Sequence, residues 1–222
     1  MSFDKLLSIE TATDICSVCF QDEMGEVHEK RTERKGSHSE LLFLFVRELM
    51  EEQNFKMNDL GAVLVSTGPG SYTGLRIAAS GVKGMLFGSD VKVFAGNTLA
   101  GFAQSIEKGT VHAVINARRK HLYHQKFEKD KTLNAISEPR IMELKEIESK
   151  LSPLDLMIGT GIDRLSKESM QGVITLDLIN ISGKGLISLF NSSVRNNFFA
   201  ETIAEDLESN YLNSSQVNNT SV

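Results

Sequence analysis

Apolar residues along this chain first gather in short runs that alternate with polar turns and then recur with a helical period. Residues 5–35 read as three strands, KLLSIET, ICSVCFQ and EVHEKRTE, separated by the polar turns TATD and DEMGE. That alternation predicts an antiparallel meander. In SHSELLFLFVRELMEEQ, residues 37–53, the spacing becomes helical, and Ser37 with Glu40 three residues on predicts a capping box. AVLVST then reads as a buried strand, TGLRIAASGVKGMLF as a second helix, VKVFAG as a strand, and NTLAGFAQSIE as a third helix started by Asn97 or Thr98. Strands and helices alternating after a meander predict an α/β chain, a mixed sheet covered by helices.

The pattern restarts near Lys108 and Gly109. TVHAVINA, LYHQKFE and a weaker stretch at NAIS read as strands, MELKEIESKL as a helix, LDLMIGTG as a buried strand ending on a glycine loop, and GKGLISLFNSSVRNNFF as a helix. The restart predicts an N-terminal unit over 1–108 and a C-terminal unit over 109–212. The polar tail 213–222, NSSQVNNTSV, is expected to be disordered.

Two helices carry anomalies. On the first, Phe45, Leu49, Leu42, Val46, Met50 and Phe43 fill an apolar arc wider than the ~100° that a core-facing stripe needs. Leu44 falls in the middle of the opposite polar arc, with Leu41 near its edge. On the second, Gly74, Ile77, Gly81, Gly84 and Gly88 form one stripe. An interior glycine costs roughly 1 kcal/mol relative to alanine, so another element, internal or from another chain, is expected to approach that backbone closely.

The loop STGPGSYTG before the second helix resembles a phosphate cradle but fails both phosphate motifs. The third glycine of a dinucleotide fingerprint would fall at position 73, which is Thr73, and no lysine stands at Walker spacing. A tight turn capped by Ser71 or Thr73 survives, with free amides that could hold an anion. The charge balance, 24 basic against 29 acidic residues, gives no general nucleic-acid footprint. No apolar run reaches the ~18 residues of a membrane span, and the N-terminus lacks the pattern of a signal peptide, so a cytoplasmic protein is expected. Cys16 and Cys19 read as reduced, structural residues pointing to opposite faces of one strand. The glycosylation sequons, among them Asn191, Asn213, Asn218 and Asn219, carry no weight in such a compartment.

The first strand, the HSELL helix start, the segment STGPGSYTGLRIAASGVKG, the stretch INARRKHLYHQKF and the terminal ESNYL together resemble the TsaB (YeaZ) family over about residues 5–212. The resemblance implies the two-lobed ASKHA fold of actin and sugar kinases, a mixed sheet with helices in each lobe. It also implies a non-catalytic scaffold and activator in the transfer of a threonylcarbamoyl group to N6 of adenosine 37 in ANN-decoding tRNAs. The implied partners are a homologous catalytic TsaD-like subunit and a TsaE-like ATPase, with a homodimer possible and tRNA met only through the complex.

The same resemblance implies an interface on the first two helices, at His38, Leu41, Leu44, Gly74, Ile77, Gly81 and Gly84. The catalytic relative binds metal through His-x-x-x-His on its first helix. Here His38 is followed by Leu42, so the pair is broken and no metal site is expected. His28, His112, His121 and His124 read as structural. A nucleotide crevice is implied with Thr11 and Thr13 on one wall and Gly159 and Gly161 on the other, but no cofactor is required. Glu10 and Asn116 stand where the family carries aspartates, so ATP binding, if any, is expected to be weak. The alternative is an autonomous ASKHA nucleotide-binding protein with weak ATPase activity. ARRK at 117–120 reads as a solvated hairpin or as a tRNA or partner contact.

Overall fold

The computed structural model describes residues 3–209. Most of the ESNYL match and the 213–222 tail lie outside the described residues. The chain runs β1 (Leu6–Glu10), β2 (Cys16–Gln21), β3 (Val27–Thr32), α1 (His38–Glu52), β4 (Ala62–Gly68), α2 (Tyr72–Met85), β5 (Lys92–Asn97) and α3 (Thr98–Gln104). It continues through β6 (Gly109–Asn116), β7 (His121–Lys129), β8 (Leu133–Ala135), β9 (Arg140–Glu143), α4 (Leu144–Glu148), β10 (Leu156–Gly159), β11 (Ile174–Thr175), α5 (Gly183–Phe190) and β12 (Phe199–Thr202).

Two six-stranded sheets result. The first has the order β12-β5-β4-β1-β2-β3; the second runs β11-β10-β6-β7-β8, with β9 also paired to β7. The expected meander is β1-β2-β3, and β1, β4 and β5 are parallel. β1 and β2 are buried along their whole length because helices cover both faces. Leu7, Ile9, Cys16, Val18 and Phe20 face a core shared with α1 and α2, whereas Leu6 and Cys19 face one shared with α5. The cysteines therefore point to opposite faces, and both are free and buried.

Four local expectations are corrected. Ser37 stands at the start of α1 but makes no side-chain cap; its hydroxyl donates to the Arg34 carbonyl at 2.6 Å, so the capping box does not form. Met142 belongs to β9, and α4 is confined to Leu144–Glu148. The helix expected over GKGLISLFNSSVRNNFF stops at Phe190, and Phe199 opens β12, which pairs antiparallel with β5 of the first sheet. The C-terminal segment thus returns to the sheet that the N-terminal half began. Finally, α1 buries His38, Leu42, Val46 and Leu49, leaves Leu44 half-buried, and exposes Phe43.

The glycine stripe of α2 divides by location. A Cβ on Gly74 would lie 2.0 Å from the Thr11 carbonyl oxygen, so the end of β1 sits directly on the helix backbone. One on Gly81 would meet Leu42 and Phe43 of α1, whereas one on Gly84 would meet nothing within 4 Å. Gly88 lies just beyond the helix with φ +71°, a left-handed position that favours glycine. Gly74→Ala is therefore expected to lower stability by about 1–3 kcal/mol through overpacking, and Gly84→Ala to raise it by up to about 1 kcal/mol. Urea unfolding of the two variants checks this; equal effects would mean that the internal contact does not constrain α2.

Candidate functional site

The STGPGSYTG loop is used by the fold itself. The Ser71 N–H donates to the Ala12 carbonyl at 2.7 Å, and the Ser71 hydroxyl accepts from the Gly74 N–H at 3.3 Å, capping α2. A Cβ on Gly70 would lie 2.6 Å from both Ala12 Cβ and its carbonyl oxygen. Two amides that could have met an anion are thus engaged, and the glycine is needed for contact with the β1–β2 turn.

Beneath this loop lies Glu10, 1% exposed. Its Oε1 accepts the Ala12 N–H at 2.7 Å, and its Oε2 accepts from the Ser66 hydroxyl. Burial pushes its carboxyl from 4.5 up to about 7, against those two hydrogen bonds, which favour the ionised form. Thr11 donates its hydroxyl to the Gly74 carbonyl at 2.9 Å, and Thr13 accepts the Ile15 N–H at 3.1 Å; both are buried.

Across the second sheet, Gly159 and Gly161 have φ of +133° and +85°. A Cβ on Gly159 would collide with Val114, and one on Gly161 with Leu122. Thr160 between them accepts the Asn116 N–H. Thr11 and Thr13 are thus bonded within the fold, Gly159 and Gly161 stand where only glycine fits, and Glu10 is enclosed. A cavity of about 360 Å³ opens instead at the ends of β4 and β5, between Gly68, Pro69, Asn97, Phe199 and Glu208. Thr11, Thr13, Gly159 and Gly161 do not line it.

The second candidate region is the outer face of α1 and α2. His38 is buried, its Nε2 3.2 Å from the Ile15 carbonyl oxygen, while Leu42, at the position where the catalytic relative has its second histidine, is in the core. Gly74 and Gly81 are also buried; Leu41, Leu44 and Ile77 are half-buried, and Gly84 is exposed. The sequence reading missed the aromatic part of this face. Phe43 is 49% exposed, Tyr72 55% and Phe87 85%. Tyr72 is bracketed by Arg76, whose guanidinium donates to the phenol oxygen at 2.7 Å and lies over the ring. The usable signal was the spacing Tyr72, Arg76, Ser80, Gly84, which puts all four on the outward side of α2. The ARRK turn is exposed at Arg118, Arg119 and Lys120.

Glu10 gives a pH test of this geometry. In the unfolded chain it ionises near 4.5 and in the fold near 7, so its contribution is fully present below 4.5 and is lost as pH rises through 7. Glu10→Gln cannot suffer that loss. Relative to the parent chain, the variant is expected to gain about 2–3 kcal/mol between pH 5 and pH 8 in urea unfolding. A pH-independent difference would mean that Glu10 is already ionised inside the fold.

Comparison with known proteins agrees with this architecture. The chain is similar to the tRNA threonylcarbamoyladenosine biosynthesis protein TsaB of Escherichia coli strain K12, at 27% identity over 168 residues, 71% of each chain. It is 28% identical to the protein of the same name from Buchnera aphidicola subsp. Acyrthosiphon pisum over 156 residues, 67% of this chain and 70% of that one. The solved structure of YeaZ from Pseudomonas aeruginosa superposes with a TM-score of 0.77 at 24% identity, covering 94% of this chain and all of that one. A family model described as TsaD, tRNA N6-adenosine threonylcarbamoyltransferase, matches residues 24–216. The chain belongs to that family and, within it, to the TsaB (YeaZ) group.

Proposed function

We propose that this chain works in the biosynthesis of threonylcarbamoyladenosine in tRNA as a non-catalytic scaffold and activator subunit. The outer face of α1 and α2 receives a homologous catalytic subunit there, which performs the transfer to N6 of adenosine 37. A TsaE-like ATPase completes the set, and tRNA is met through the complex. The names of the relatives support the pathway.

The observation that carries the subunit role is the exposed aromatic face itself. Phe43 stands on α1, Tyr72 opens α2 and Phe87 follows its end, and Gly84, in the last turn of α2, has no side chain over it. Aromatic residues around a bare helix backbone allow close helix-to-helix contact. The broken His38/Leu42 pair and the internally engaged Thr11 and Thr13 support the absence of chemistry in this chain. No helix among the described residues is long and apolar enough to cross a membrane.

Reconstitution tests the reading. Threonylcarbamoyl transfer by purified TsaD-like and TsaE-like partners is expected to need this chain, and this chain alone is expected to yield no modified tRNA. Modification by the isolated chain would overturn the scaffold role. Gly84→Leu adds bulk where the monomer has open space, so its melting temperature is expected to hold or rise slightly while affinity for the catalytic subunit falls at least about tenfold, about 1.4 kcal/mol. Unchanged affinity would remove this face from the interface. Size-exclusion of the same samples shows whether a second copy uses the face too.

A further inference from the structure

Two histidines that look solitary in the sequence meet inside the second sheet. His112 on β6 lies across from Lys126 on β7, and Val114 across from His124, so the two imidazoles are diagonal neighbours on one face. His112 Nδ1 is 2.9 Å from His124 Nε2, and both rings are buried. His112 Nε2 is 3.2 Å from Asp155 Oδ2, which also accepts the Ser152 N–H at 2.9 Å. A carboxylate only accepts, and that orders the protons. His112 Nε2–H donates to Asp155, His112 Nδ1 accepts from His124 Nε2–H, and His124 Nδ1 keeps a lone pair.

The chain of three ends at a cavity of about 590 Å³ lined by His124, Lys126, Ser137, Arg140 and Lys150. The cations come from three places: Lys126 from β7, Arg140 from β9 directly across from His124, and Lys150 from the turn after α4. Glu138 and Glu146 also line it, and Glu146 pairs with Lys150 at 3.9 Å. Among the described residues Lys126 and Arg140 have no ion pair. Ser137 Oγ accepts the Lys126 backbone N–H, so its own hydrogen is available to donate.

We propose that this cavity binds a phosphomonoester dianion between Lys126, Arg140 and Lys150, and that His124 takes up one solvent proton at Nδ1 as the anion enters. Lys126 and Arg140 have no carboxylate within ion-pair distance, Glu138 of the lining offsets only part of their charge, and a guanidinium fork suits phosphate oxygens. A monocarboxylate offers fewer acceptor oxygens to the three cations and the Ser137 hydroxyl than a phosphomonoester does.

The proton follows from the same charges. Burial, then His112, Lys150 and Lys126, hold His124 down to about 3, and burial with Lys126 lowers His112. A bound dianion offsets Lys126, Lys150 and Arg140 together and accepts from the new Nδ1–H. The imidazolium is further stabilised from behind, because its Nε2–H still donates to His112 and through it to Asp155. Binding therefore strengthens as pH falls, at most tenfold per pH unit for one proton per anion. This inference is independent of the subunit reading.

The test uses the full chain with sulfate, whose charge is constant between pH 5 and 8, and with phenyl phosphate and acetate as the ligand-class arms. Calorimetry in buffers of different ionisation enthalpy is expected to show saturable sulfate and phenyl phosphate binding, weak acetate binding, proton uptake, and at least a threefold gain in affinity from pH 7.5 to 5.5. Arg140→Gln is expected to lose about tenfold at every pH, and His124→Gln to bind without the pH slope. Imidazole nitrogen NMR of the parent chain, which needs no variant to fold, is expected to show His124 becoming protonated on sulfate addition. Absent saturable binding, acetate bound as well as phenyl phosphate, an unchanged slope in His124→Gln, or a His124 ring that stays neutral with sulfate bound would each overturn the proposal.

Discussion

The two sheets are joined where α3 and α5 touch backbone to backbone. A Cβ on Gly185 would lie 2.1 Å from the Gly101 carbonyl oxygen, and one on Gly101 would press on Leu186. Each helix then serves a different sheet. α3 gives Leu99, Phe102 and Ala103 to the core of the second sheet, while α5 gives Leu186, Ile187 and Phe190 to the first and turns Leu189 toward the second. Each fully buried side chain of this kind contributes roughly 1.5–3 kcal/mol, and none could be placed if the helices stood a side chain apart. The start of α5 is fixed in the same way. Gly183 donates its N–H to Ser17 and accepts from Ser8, both on the first sheet. With α5 anchored there, β12 returns beside β5 and closes the sheet edge.

The strands were legible because their burial matches their composition: LLSIE, CSVCFQ and AVLVSTG are covered on both faces and read as near-continuous apolar runs. The third helix was legible from its cap, since Asn97 accepts the Ala100 N–H at 3.0 Å as its position suggested. Elsewhere, tertiary demands overrode local signals. Ser37 has the right neighbour for a capping box, but its hydroxyl is drawn to Arg34. Residues 191–199 read as the end of a helix, yet Phe199 opens β12, for which the open β5 edge offers a ladder that a helix could not match. At the rim of α1 the helical wheel departs from the structure, because Phe43 lies over Gly81 of α2 rather than over the core, and Leu44 is drawn half under cover.

The candidate sites were legible to a different degree. The glycine stripe correctly signalled close approach, but its meaning differs along the helix, from the Thr11 backbone at Gly74, to α1 at Gly81, to open space at Gly84. One-dimensional periodicity cannot separate these, because it carries no information about which neighbour arrives. The histidine pair was invisible for a related reason. His112 and His124 are twelve positions apart, and only the antiparallel register through the ARRK turn brings them diagonal. Asp155 arrives from β10's side of the sheet, a third segment with no sequence relation to either.

Two buried neutral groups also give the fold its response to pH, and they pull in opposite directions. Glu10, at about 7 in the fold against 4.5 unfolded, removes stability as pH rises. His124, at about 3 against 6.5, contributes fully above 6.5, and its contribution is lost as pH falls toward 3. Between 4.5 and 6.5 the unfolded chain releases the Glu10 proton and binds the His124 proton over the same range, so the two effects offset. Outside that window only one acts: Glu10 up to about 7, and His124, with His112 shifted in the same direction, below 4.5. An anion that lets His124 accept its proton within the fold removes the acid-side loss but leaves that of Glu10 untouched. The cavity and the β1–β4 core are therefore coupled to pH through separate groups on separate sheets.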